Sequence, residues 1–363
     1  MIERVAIIGT GLIGSSLGLG LKELSQIKEV VGIDKDSRHL QEAEDIGAID
    51  RPAELKSGVQ GMDLVVLAVP VGVICDLAAK IEPYLDSDTV VTDVGSTKTE
   101  VVTKLENKFQ DSIYIGGHPM AGSEIAGPAG ADKYLFENAI YVLTKTKSTD
   151  QTTLDKIQEM IEELGAQVLI LTPEQHDQII AVTSHLPHVV AVSLMGVMAD
   201  YAEADDLITS LTAGGFRDTT RIAAGNPLMW KDIFLNNKEQ VLTAIDTFTN
   251  NLEELQELIK NEQAGKLKEK LADIKAARDQ LPMQKKGLLP TNYELILTLS
   301  DQPNAIGRLG TLLGEAGINI QDIEVLKVRE EVGSIRLSFS QEEEQKAAYK
   351  LLQENNYQVI RRD

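Results

Sequence analysis

The stretch Val5-Ala-Ile-Ile-Gly9-Thr10-Gly11-Leu12-Ile13-Gly14 decides the fold of the first part of this chain. A short apolar run ending in glycine reads as a parallel strand covered on both faces. Ser15 to Leu24 then reads as a helix. The Gly-x-Gly-x-x-Gly pattern therefore sits between strand and helix, the context in which it binds a dinucleotide pyrophosphate. Gly9 permits the turn, Gly11 lets backbone approach the phosphates, and Gly14 lets helix and strand pack closely. Thr10, Leu12 and Ile13 complete the cofactor-binding turn. A second strand, Glu29 to Ile33, ends at Asp34, roughly 20 residues past the last glycine, where a carboxylate accepts from the ribose hydroxyls and repels a 2′-phosphate. NAD is expected over NADP, with Lys35 and Arg38 close enough to soften the preference.

Working outward, the strand–helix alternation continues. Asp63 to Val69 reads as a third strand ended by Pro70, and Ile74 to Leu85 as a helix. Thr89 to Val94 is a fourth strand leading into Gly95-Ser96-Thr97-Lys98, followed by a helix from Thr99 to Phe109 and a short strand from Ile113 to Gly116. In open α/β sheets ligands bind beyond the carboxyl ends of the strands. Gly9 to Gly14, Ala68, Val69 and Pro70, Ser96, and His118 all fall at such ends. Gly116-Gly-His118-Pro-Met-Ala-Gly-Ser123-Glu124 reads as a loop, by its glycines and Pro119. His118 there is either a hydrogen-bonded turn residue or a proton acceptor facing the cofactor, and its place at the strand ends favours the second. Ala139 to Leu143 and Ala166 to Leu171 are further strands around a helix from Asp150 to Leu164.

Thr172-Pro-Glu-Gln175 is a capping box that announces a helix and a new domain. Ser184 and His188, four apart, share a helix face, whereas His185 points elsewhere and is a candidate for core packing. Pro187 is expected to kink the helix or leave a carbonyl unpaired. His185 and His188 lack a convincing third ligand, so no metal is expected. Gly214-Gly-Phe-Arg217-Asp218-Thr-Thr-Arg221 reads either as a helix start with surface charges or as an anion clamp, since an arginine fork matches a carboxylate. The amphipathic stretch from Asn237 to Leu281 reads as core or an oligomer seam and suggests a dimer. After a linker from Pro282 to Pro290, the remainder reads as βαββαβ with no catalytic set, a ligand sensor or assembly module.

Composition bounds the function. The 363 residues suit two or three domains, and 43% hydrophobic with 25% charged residues is globular material. A net charge of −21 argues against nucleic acid or an anionic membrane as partner. It also requires that any anionic substrate be held by specific cationic side chains. Cys75 is the single cysteine, so no intramolecular disulfide is possible, and the N-terminus has no signal-peptide layout. The apolar run from Ile179 to Met198 contains His185, Pro187 and His188 and is expected to be a buried helix rather than a membrane span. A cytoplasmic protein is expected.

Gly9 to Gly14, Val94-Gly-Ser-Thr-Lys98, His118-Pro-Met-Ala-Gly-Ser-Glu124, Ser184-His-Leu-Pro-His188 and Gly215-Phe-Arg-Asp-Thr-Thr-Arg221 together resemble prephenate dehydrogenase, in order and spacing, across Met1 to Leu281. The tail resembles an ACT domain, an amino-acid-sensing module. The resemblance implies three domains: a Rossmann-type α/β NAD-binding domain (1–171), an all-α substrate and dimerisation domain (172–285), and an α+β ferredoxin-like ACT domain (290–363). It implies NAD-dependent oxidation of the dianion prephenate, with loss of CO₂, for tyrosine synthesis. His118 then takes the proton of the ring hydroxyl, and Ser96 places histidine, hydroxyl and nicotinamide. Arg221 holds a carboxylate with Ser184 and His188 beside it. Ser123, Glu124, Arg217 and Asp218 line the entrance, and Trp230 lies at the pocket edge. A homodimer and a tyrosine effector are implied, the effector near Asn304 and Asn319. Asn304 departs from the ACT pattern, which has glycine there; asparagine tolerates the left-handed conformation. Alternatives are arogenate dehydrogenase, a 3-hydroxyacid dehydrogenase, although its helical lysine motif is missing, and a non-enzymatic NAD-binding amino-acid sensor.

Overall fold

The computed structural model describes residues 2–106, 108–109, 113–123, 125–146, 149–202, 207–281, 293–300, 302–329, 332–355 and 357–362. The chain divides into two compact units, Met1–Leu288 and Leu289–Asp363. The first contains an eight-stranded sheet built from β1 (Arg4–Ile8), β2 (Glu29–Ile33), β3 (Arg51–Pro52), β4 (Leu64–Leu67), β5 (Val90–Asp93), β6 (Ile113–Pro119), β7 (Ile140–Lys145) and β8 (Gln167–Leu171). Their spatial order is β3-β2-β1-β4-β5-β6-β7-β8. The first six run parallel, and the order reverses between β1 and β4. That reversal is the switch point at which a ligand crevice opens past the carboxyl ends. β7 runs antiparallel to β6 and parallel to β8. The two-residue β3 is too short to register as an apolar run, and its proline sits on the sheet edge, where a missing donor costs little.

The central strands are apolar on both faces because both are covered. One cluster packs Ile7, Leu64 and Val66 against Leu17, Leu21, Phe136, Ile157 and Ile161. The other packs Ala6, Val65 and Val91 against Ile74, Ile81, Val101 and Phe109. Each fully buried aliphatic side chain contributes about 1.5–3 kcal/mol relative to exposure. The capping box forms as its residues predict: Gln175 N donates to Thr172 Oγ1 at 3.2 Å, and Thr172 N donates to Gln175 Oε1 at 3.0 Å.

The helix it opens, Pro173–Ile180, passes through a π turn, Ala181–His185, into Leu186–Ala202. The disturbance expected at Pro187 is this π turn. Leu186 N–H reaches back to the Ala181 carbonyl, so the ladder widens just before the residue that has no N–H to offer. Burial of the apolar run is only partial. By length and composition Pro173–Ala202 is the one helix among the described residues that could cross a membrane, and 28% of its most apolar stretch is buried. His185, His188 and Ala191 face inward, whereas Ile179, Val182, Val192 and Val197 are exposed. Leu252, Ile259, Leu271 and Ile274, on the helices Lys238–Lys260 and Ala264–Asp279, are exposed as well.

The second unit has β9 (Tyr293–Ser300), β10 (Asp322–Arg329), β11 (Val332–Phe339) and β12 (Gln358–Arg362), with helices Ala305–Glu315 and Glu342–Glu354 between them. The order is βαββαβ and the antiparallel sheet runs β10-β11-β9-β12, a split βαβ arrangement. Leu295, Leu297 and Leu299 alternate inward against Leu309, Leu313, Leu337 and Leu352. Asn304 adopts the left-handed conformation at φ 67°. Its Oδ1 lies over Gly307, where a Cβ would come within 2.0 Å, so asparagine at 304 works together with glycine at 307. The linker from Pro282 to Pro290 lies outside the described residues.

Candidate active site

Gly9, at φ 99°, has no room for a Cβ, which would lie 2.2 Å from the Ala68 carbonyl oxygen; at Gly14 a Cβ would lie 1.9 Å from the Gly9 oxygen. Both glycines are demanded by close packing of turn, helix and β4. Gly11 is different: a Cβ there meets nothing within 4 Å, so its backbone faces open space at the start of the Leu12–Leu21 helix. Asp34, just past β2, has Oδ2 2.8 Å from Thr10 N, which donates to it, and Oδ1 2.9 Å from Asp36 N. Arg38 is engaged by Asp36 at 2.8 and 3.2 Å, which draws it away from the acid it was expected to offset. Open backbone at a helix N-terminus followed by a fixed carboxylate fits a dinucleotide with free ribose hydroxyls. Leu67 ends β4, and Ala68, Val69 and Pro70 lead into the helix Val71–Ile81 on the same edge.

His118 is a correction to the sequence reading. It lies on a strand, not on a loop, because β7 continues the ladder past the glycines: Gly116 pairs with Thr144, Gly117 with Leu143 and His118 with Val142. The glycines serve close approach rather than a turn, since a Cβ on Gly117 would come within 2.4 Å of the Asp93 carbonyl oxygen.

His118 is 9% exposed, and its Nδ1 is 2.7 Å from His176 Nε2. His176 Nδ1 is in turn 2.7 Å from Asp177 Oδ1. Asp177 also accepts from Lys98 N and Thr99 N, each at 2.8 Å, so it caps the helix Thr99–Glu106. Asn237 Nδ2 donates to the Asp177 carbonyl at 2.9 Å and lies 3.2 Å from His185 Nδ1. Behind this chain Lys98 Nζ pairs with Asp93 Oδ1 at 2.5 Å, with both side chains wholly buried. Burial, then the electrostatic influence of His176, Lys98 and His185, holds the His118 pKa well below its ordinary value. Burial pushes Asp177 up, but the hydrogen bonds from His176, Thr99 and Lys98 outweigh it, and the carboxyl stays below the usual carboxylate range. Burial also lowers His185 to about 4. An imidazole kept uncharged at the carboxyl end of a strand can accept a proton.

On the helical side, His188 stacks on Trp230 with ring centroids 3.6 Å apart and planes 9° apart. Its buried Nδ1 has no protein partner among the described residues, and burial lowers its pKa. Ser184, one turn earlier, is half-buried, whereas Arg217, Asp218 and Arg221 are exposed on the Gly214–Thr220 helix and the 3-10 turn Arg221–Ala224. Ser96 is half-buried in the turn after β5 and makes no hydrogen bond to His118. Ser123 is exposed and accepts from Ile125 N at 3.2 Å; Glu124 lies outside the described residues. Asn304 and Asn319 are exposed in the second unit. Sequence reasoning missed His176, Asp177, Lys98 and Asn237. The signal was a His-Asp pair directly after the capping box, with 176, 177 and 180 at the spacing of an inward helix face.

Comparison with known proteins gives concordant matches. Residues 17–170 match the family described as prephenate dehydrogenase, nucleotide-binding domain, and residues 172–273 the one described as prephenate dehydrogenase, dimerization domain. The chain is 34% identical over 355 residues to a prephenate dehydrogenase of Bacillus subtilis, covering 96% of this chain and 95% of that protein. Among solved structures it is similar to prephenate dehydrogenase from A. aeolicus in complex with hydroxyphenyl propionate and NAD+. That match has a TM-score of 0.73 and 35% identity and covers 77% of this chain and 99% of the other. Synechocystis arogenate dehydrogenase matches with a TM-score of 0.69 and 31% identity, over 76% of this chain and 99% of the other. Neither family match extends past residue 273, and so neither reaches the split βαβ unit.

Proposed function

This chain belongs to the prephenate dehydrogenase family, and from that premise we propose which of its residues do the work. The enzyme catalyses NAD-dependent oxidative decarboxylation of prephenate to 4-hydroxyphenylpyruvate. The residue assignment is carried by one observation: His118 is a buried imidazole, its pKa held down by burial, near the carboxyl end of β6, at the same end of the parallel strands as the glycine turn. NAD supplies the hydride acceptor. Gly9, Thr10, Gly11, Leu12, Ile13 and Gly14 hold its pyrophosphate and Asp34 its ribose, while Ala68, Val69, Pro70 and Ser96 border the nicotinamide half. His118 takes the proton of the ring hydroxyl as hydride leaves the same carbon, and a carbonyl forms there. The ring carboxylate then departs as CO₂, its electron pair restores aromaticity, and the oxygen takes the proton back from His118 to give the phenol hydroxyl. Arg221, Ser184 and His188 hold the carboxylates, and Trp230 backs His188. Ser123, Glu124, Arg217 and Asp218 line the entrance. His118→Asn is expected to lower kcat by about 10²–10⁴-fold while NAD still binds. Turnover preserved in that variant would refute His118 as the base.

The domain limits 1–171, 172–285 and 290–363, a cytoplasmic homodimer joined through the helical domain, and an ACT sensor for tyrosine at the tail complete the reading. The exposed apolar side chains of Pro173–Ala202 and the name of the second matched family support the dimer. The βαββαβ order supports the sensor. The similarity to an arogenate dehydrogenase favours a second substrate, which differs from prephenate by an amino group. Rates of NADH formation with prephenate and with arogenate, with and without tyrosine, on full-length and tail-deleted protein separate these readings. Tyrosine inhibition that survives deletion of the tail would reject the sensor.

A further inference from the structure

We propose that His176 and Asp177 are positioning residues that fix the tautomer of His118, so that its Nε2 carries the lone pair that meets the substrate hydroxyl. The inference rests on His118 being the base.

The direction of the hydrogen-bond chain follows from its far end. Asp177 Oδ1 and Oδ2 already accept from Lys98 N and Thr99 N at 2.8 Å each, and a carboxylate has only acceptors to offer. The proton in the 2.7 Å contact with His176 therefore sits on His176 Nδ1. In the uncharged pair His176 Nε2 is then left as an acceptor, and the 2.7 Å contact with His118 Nδ1 has its proton on His118. One N–H per neutral imidazole leaves His118 Nε2 bare. The opposite tautomer would place two lone pairs against each other at 2.7 Å between two buried rings, at a cost of about 1–3 kcal/mol.

The chain is also anchored. Asp177 accepts from two backbone donors and its carbonyl accepts from Asn237 Nδ2, so both rings are hydrogen-bonded in series to a carboxylate fixed by backbone. Once His118 has taken the substrate proton, its Nδ1–H points at His176 Nε2, and the Asp177 carboxylate balances the new charge one ring away. A base whose ring is free to rotate would hold the productive orientation only part of the time.

Two measurements test this. In a long-range ¹H–¹⁵N spectrum of ¹⁵N-histidine-labelled protein, with His118 assigned by its disappearance in His118→Asn, the resting ring is expected to carry its proton on Nδ1. A resting ring protonated on Nε2 overturns the proposal while leaving His118 eligible as a catalytic residue. For kinetics, His176→Leu is expected to lower kcat by about 10- to 100-fold, part of what a positioned base contributes, with KM for prephenate and NAD affinity within about twofold. His176→Gln, whose carbonyl can accept from His118 Nδ1, is expected to recover most of the loss. A kcat for His176→Leu within about twofold of the parent, or no recovery in His176→Gln, refutes the role. Because His118→Asn is measured alongside, failure of the base assignment appears as turnover in that variant and is not confused with failure of the relay.

Discussion

His118 and Arg221 are proposed to meet the same small dianion, yet they are built in opposite ways. His118 is 9% exposed and joined through His176 to a carboxylate that is itself held by backbone. Arg221 stands exposed at the head of a 3-10 turn, beside a helix whose Arg217 and Asp218 also face solvent. The buried half holds its dipoles in place before substrate arrives, so it needs no reorganisation during the reaction and acts on kcat. The exposed half works in water at high dielectric, where a charge attracts but orients weakly, and so acts on KM. Changes in the first half are expected to be expensive in chemistry or stability, and changes in the second to be expensive in affinity.

The sharpest stability test of the buried half is acid. His185 titrates at about 4 in the folded chain because it is buried, against an ordinary value near 6.5 in the unfolded chain. Between these values the unfolded chain binds a proton that the folded one refuses. The stabilisation is thus complete above pH 6.5, is lost as pH falls from 6.5 to about 4, and changes no further below that. Over that window the difference is worth about 3 kcal/mol. His118 and His188, lowered in the same direction, add to it. His185→Asn keeps an acceptor near Asn237 and cannot titrate, so its Tm should fall less steeply across this window in a pH series of thermal melts. A slope equal to that of the parent would show that His185 is not held neutral by its surroundings.

The same contrast explains what could be read in the amino-acid sequence. The glycine turn, Asp34 and the strand ends were legible because each is a local pattern with one physical use, and the packing at Gly9 and Gly14 agrees with that use. The capping box at Thr172 was legible for the same reason. His118 was placed at the right edge but on the wrong element, because its glycines look like turn residues when the partner strand β7 is out of view. The chain from His176 to Asp177, Lys98 and Asn237 joins residues 58 to 79 positions apart, and no short pattern carries such a pairing. The π turn sits at a proline that announced trouble without saying which remedy the helix would adopt.

Arg221 tests the exposed half, with the smaller expected effect. Arg221→Ala should raise KM for prephenate by about 10- to 100-fold, the scale of a charge-assisted carboxylate contact of about 1.5–3 kcal/mol, while kcat changes far less. Ionic strength then separates the clamp from the background. The chain carries a net charge of −21, so its overall field repels a dianion, and added salt screens that repulsion in parent and variant alike. Only the parent also has the local attraction of Arg221 to lose. The ratio of variant to parent KM should therefore shrink as salt rises, whichever way each KM moves by itself. A ratio that stays constant with salt would mean that Arg221 works through buried, unscreened contacts and belongs with His118 in the built half of the site. A ratio near one at every salt concentration would move the clamp to another cation, with Arg217 on the neighbouring helix the next to test.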